Sequence, residues 1–155
     1  MAIFLIAALV VILQITVVPY TRVGTAVFDL QIITLVFFGL KKGLRLGLLI
    51  GVFFGIFSGL FSTSSLWLGI FLYGLTGLTV GYIGRWFYKE QLSTFILMIF
   101  CATAFIYFSH YLYQLLYAQL PLDILSYALK LFLPVALYTV AAAIFLFRFL
   151  RGIRI

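Results

Sequence analysis

Apolar residues run almost unbroken along this chain. The polar, basic and proline positions that interrupt them fall in short clusters, which mark off runs at 2–18, 25–40, 43–61, 66–84, 92–117 and 123–147. Apolar runs near 20 residues predict membrane-spanning helices. Spans of a β-barrel would instead alternate apolar and polar positions over short segments. Pro19 ends the first run, because proline has no amide donor and restricts the residue before it. Lys41, Lys42 and Arg45 form a basic turn, Ser62-Thr63-Ser64-Ser65 a small polar one, and 85–91 the next loop. Pro121 breaks the chain before the last run, and Arg-Phe-Leu-Arg-Gly-Ile-Arg-Ile closes it. The first two runs are short for a crossing. The fifth exceeds a perpendicular one, which predicts tilt or an interfacial end. The expected fold is all-α: a polytopic, six-transmembrane-helix bundle in a single domain over 1–155.

The third run carries a second period. Gly43, Gly47, Gly51, Gly55 and Gly59 recur every fourth residue, with bulky apolar residues between them. In a soluble helix each interior glycine costs about 1 kcal/mol against alanine. In lipid, small residues four apart let another backbone approach closely. At about 1.5 Å per residue the row covers roughly 24 Å. The fourth run, one short turn away, offers Gly74, Gly77, Gly81 and Gly84 as a facing surface. A close-packed hairpin of spans three and four is the simplest reading. An intermolecular face is the other.

Composition narrows the class. The chain of 155 residues is 66% hydrophobic and 8% charged, whereas soluble domains are about a quarter charged. A water-facing surface all round is excluded. The net charge of +7 sits beside apolar runs, so orientation and anionic lipid headgroups account for it better than nucleic acid does. With the N-terminus inside, the inner segments hold Lys41, Lys42, Arg45, Arg85, Lys89, Arg148, Arg151 and Arg154; the outer ones hold Arg22, with Lys130 a little way into the last span. That imbalance predicts cytoplasmic termini. The first run has no basic flank ahead of it and no small-residue cleavage site after it, so it is expected to remain as a span.

Polar residues inside the runs are the functional suspects. In this topology most fall toward the outer face: Gln14, Asp29, Gln31, Ser58, His110, Gln114 and Lys130. Thr103, Tyr107, His110, Gln114 and Tyr117 are spaced to line one face of span five. These groups predict an outward polar pocket or partner groove; interhelical hydrogen bonding is a sufficient alternative. Asp29 and Lys130 stand at similar inferred depth, so a buried pair and an outward-reaching Lys130 are both open. Catalysis has little to work with. Three carboxylates, one histidine and the single Cys101 give few acid–base or nucleophile sets. No cofactor or metal is expected. The Gly-Leu-Arg-Leu-Gly turn does not follow a strand and fits no nucleotide-binding pattern.

Several stretches carry a resemblance. Leu13-Gln14 stands near the end of span one, and Phe28-Asp29-Leu30 opens span two. A basic-Gly turn leads into Gly51-Val52-Phe53-Phe54-Gly55-Ile56-Phe57-Ser58-Gly59, then Ser62–Ser65 and Leu68-Gly69. Over about residues 10–90 the chain resembles the MreD-type rod shape-determining membrane proteins. It departs from that pattern in lacking a proline before Asp29. It also has Gly59 where the family usually has an aspartate, with Ser58 as the nearest polar group.

The resemblance implies a non-enzymatic scaffold of the bacterial cell-elongation machinery, or elongasome, which makes peptidoglycan and sets cell shape. It implies a place in the cytoplasmic (inner) membrane and an MreC-like single-span partner, through which it joins MreB and the peptidoglycan synthase assembly. It also implies a fold similar to the substrate-binding subunits of energy-coupling-factor transporters, which supplies the alternative of a vitamin-binding subunit. Such subunits often carry Ala-x-x-x-Ala in span one. Here Ala7 and Ala8 are adjacent.

Overall fold

A computed structural model describes residues 2–21, 27–61, 65–86, 91–117 and 124–151. Arg22, Ser62, Lys89, Glu90, Asp123 and Arg154 lie outside them. Every regular element among the described residues is helical. The order is α1 (Ala2–Thr16), a 3-10 turn (Val18–Thr21), α2 (Leu30–Lys42), α3 (Leu44–Phe61), α4 (Leu66–Ile83), α5 (Leu92–Tyr117) and α6 (Ile124–Tyr127). The last of these continues through a π-helical segment (Ala128–Phe132) into α7 (Leu133–Arg151). Helices spanning Leu44–Phe61, Leu66–Ile83, Leu92–Tyr117 and Ala128–Phe147 are long and apolar enough to cross a membrane. Helices α1 and α2, with 15 and 13 residues, are shorter than the usual crossing of about 20.

The short helix α2 is the centre of the molecule. Residues 31–40 are all buried, and α2 packs against α1, α3, α4, α5 and α7. Burial on every side suits a stretch that is apolar apart from Gln31 and Thr34. The basic pair Lys41 and Lys42 ends it, where cations complement the helix dipole.

Glycine sets the approach of α3 to α4. A Cβ on Gly47 would run into the Gly77 carbonyl oxygen, and one on Gly51 into that of Tyr73. A Cβ on Gly55 would lie 2.6 Å from Ile70 Cα, and one on Gly59 2.7 Å from Leu66 Cα. The reverse holds for Gly69, Gly77 and Gly81, where added carbons would meet the backbones of Gly55, Gly47 and Leu44. The two backbones are therefore in contact along the length of the hairpin.

At three glycines assigned to this face from spacing, Gly43, Gly74 and Gly84, an added Cβ would not strike the opposite helix's backbone, although Gly43 C and Gly74 Cα themselves lie against Gly81 and Gly51. Gly43 is the C-cap of α2, at φ 86°, and a Cβ there would meet nothing within 4 Å. Its role is conformational, because positive φ suits a residue without a Cβ. Gly74 is offset: a Cβ there would stand 3.4 Å from Val52 Cγ2, an ordinary contact. The facing row on α4 is Gly69, Tyr73, Gly77 and Gly81. Gly84 faces Leu40 of α2 instead.

The π-helical segment has a local cause. Pro134 offers no amide, and its ring would strike the carbonyl four residues back in a regular helix. The turn before it widens, and Leu133 N–H donates to the carbonyl of Ala128.

Candidate functional site

The site forms where the central helix begins. Residues 27–29 are not helical. Asp29 caps α2: its Oδ1 accepts from the N–H groups of Gln31 at 3.0 Å and Ile32 at 3.1 Å. From Asp29 to Lys42 the helix rises about 20 Å.

Irregular backbone inside a packed bundle is tolerated where protein satisfies its polar groups or a cavity adjoins it. Both hold here. Gln14 of α1 clamps the segment at both ends of its amide: Oε1 accepts from Leu30 N–H at 2.8 Å, and Nε2 donates to the Phe28 carbonyl at 3.3 Å. Thr139 of α7, fully buried, accepts from the Asp29 N–H at 3.1 Å. Tyr73 of α4 donates its hydroxyl to Asp29 Oδ2 at 3.1 Å. Ser58 of α3 is within hydrogen-bonding reach of that hydroxyl. Helices α1, α3, α4 and α7 thus all contribute to one polar knot.

Two cavities flank the knot and share Asp29, Ser58 and Tyr73 as lining. One, of about 260 Å³, extends toward α5 and the π-helical segment and is lined by Tyr107, His110, Gln114 and Tyr127. The other, of about 500 Å³, extends toward α1 and is lined by Gln14, Gln31, Pro19 and Phe57.

Of the polar residues singled out from the sequence, Gln14, Asp29, Gln31, Ser58, His110 and Gln114 line one or other cavity. Lys130 does not. It is exposed on the π-helical segment, so the buried Asp29–Lys130 pair is not formed. Thr103 is buried and donates to the Ile99 carbonyl at 2.8 Å, and Tyr117 is exposed; neither lines the site. Tyr73, Tyr127 and Thr139 join the site without standing out in the sequence. The one available signal was at Tyr73, the bulky member of the four-residue spacing 69, 73, 77, 81.

Asp29 is the single carboxylate among the described residues, and no group of three potential metal ligands occurs among them. The site offers one fixed carboxylate, several hydroxyls and three amides, a set suited to holding hydrogen-bond donors. No protein-family model, no curated protein and no solved structure matches the chain.

Proposed function

We propose that this chain is a non-enzymatic scaffold of the bacterial cell-elongation machinery, crossing the cytoplasmic membrane six times with both termini inside. It receives the membrane helix of an MreC-like partner and so meets the MreB and peptidoglycan synthase assembly. One observation carries the reading. The separate stretches behind the MreD-type resemblance converge in space: Gln14 clamps the segment around Asp29, and the glycine frame 51–59 seats Tyr73, which reaches the same Asp29. On this reading α1 and α2 complete their crossings with the non-helical residues beside them. Close packing and a few interhelical hydrogen bonds, rather than hydrophobicity, drive association in lipid.

Photo-crosslinking scanned along α1, α3 and α4 in living cells tests it. Recovery of a single-span protein with a periplasmic domain, and rounded cells on deletion, are expected. Unchanged cell shape on deletion would overturn the scaffold role. So would failure to recover such a partner together with tight binding of a vitamin to the purified protein. The second reading, a solute-binding subunit, is favoured by one feature: the two cavities that meet at Asp29.

A further inference from the structure

We infer that the cavity between Asp29 and α5 is a binding site for a small organic ammonium group. The argument begins at the helix end. A helix N-terminus ordinarily favours an anion. Here that place is taken by the chain's own carboxylate, which accepts the N–H groups of Gln31 and Ile32. An anionic ligand would meet the Asp29 charge without those donors, inside the bundle, where like charges repel strongly. A cationic or donor-rich ligand is the complement.

The lining agrees with the charge. A carboxylate offers about four acceptor positions, and the described residues use three: two backbone N–H groups and the Tyr73 hydroxyl. Tyr73, Tyr107 and Tyr127 line the same cavity, with neither lysine nor arginine among its described lining residues. Carboxylate and aromatic groups together are the recognition chemistry of organic ammonium ions. The Tyr127 hydroxyl is held by the Tyr107 carbonyl at 3.2 Å, which braces that wall in advance. Size fits too. An apolar cavity of about 150 Å³ accepts benzene, so about 260 Å³ admits a ring with an ammonium group. The ammonium could arrive on a free amine or on an aminated lipid headgroup. The site does not depend on the scaffold reading, because it is formed within one chain.

The test uses purified full-length protein and a matched series of benzylamine, benzyl alcohol and benzoate, read by thermal unfolding. Benzylamine raises Tm most and benzoate not at all. Asp29→Asn removes the preference for benzylamine over benzyl alcohol. Gln114→Phe fills the cavity, leaves the bonds to Asp29 intact, and abolishes the benzylamine shift. A benzoate shift equal to that of benzylamine, or a full benzylamine shift in Gln114→Phe, would overturn the proposal. Nanodiscs of phosphatidylglycerol with and without phosphatidylethanolamine identify the source. Competition that raises the benzylamine midpoint tenfold or more assigns the site to the lipid headgroup, and an unchanged midpoint assigns it to a free amine. Failure of the scaffold reading would show in cellular crosslinking and leave these shifts untouched.

Discussion

At the scale of single residues, the glycines divide into three kinds that look alike in sequence. Gly51 is where backbones touch, and an added Cβ would strike the Tyr73 carbonyl. Gly51→Ala is expected to destabilise the protein by about 1–3 kcal/mol, the usual cost of overpacking. Gly74→Ala meets only an ordinary contact with Val52, and its effect is expected to stay within about 0.5 kcal/mol. Gly43→Ala has open space but must hold positive φ, a cost of about 1–2 kcal/mol. Thermal unfolding of the three variants in one detergent checks the order. Equal effects at Gly51 and Gly74 would mean that the hairpin faces are not those described. The glycine period was legible because steric need repeats every turn. The difference between Gly43, Gly51 and Gly74 was not, because it depends on the backbone angle and on what lies opposite.

At the scale of elements, α2 depends on contacts that its own sequence does not contain. Gln14, 16 residues earlier, supplies an acceptor for Leu30 N–H and a donor for the Phe28 carbonyl. Gln14→Leu leaves both groups without that partner and is expected to cost about 1–3 kcal/mol. Hydrogen exchange should then rise first at the start of α2, while the α3–α4 hairpin keeps its protection; uniform exchange through the whole bundle would argue against a local clamp. Asp29→Ala removes the α2 cap as well as the Tyr73 contact, so it is expected to cost at least the ~1 kcal/mol of a lost N-cap. The apolar runs of α3, α4 and α5 could be read directly, since long uncharged segments admit little else in lipid. The late start of α2 could not. Asp29 offers a cap, but Val27 and Phe28 are as apolar as the helix that follows, and the non-helical path of 27–29 is stabilised from α1 and α7.

At the scale of the whole molecule, the basic residues bias the chain toward one orientation. In a Cys101→Ser background, Lys42→Cys is expected to react with an impermeant thiol reagent only from the cytoplasmic side, and Tyr20→Cys only from the outer side. Both positions are exposed. Labelling from the opposite sides would reverse the proposed topology and place the Asp29 cavities toward the cytoplasm.

The sequence by itself determined that the chain is helical and suited to a membrane, because composition and run length leave no other way to satisfy the backbone in lipid. It also marked α3 as a close-packing helix, because glycine repeated every fourth residue serves little else at that length. Tertiary structure alone decided that the Tyr73 carbonyl stands beside Gly74 Cα against Gly51, and that Lys130 lines neither cavity. It alone joined Gln14, Asp29, Tyr73 and Thr139, residues up to 125 positions apart, into one hydrogen-bonded knot. The reason is physical. Hydrophobicity and small-residue spacing act along one helix and are written locally. The pairing of buried donors with acceptors is settled between helices, once packing has fixed which side chains meet.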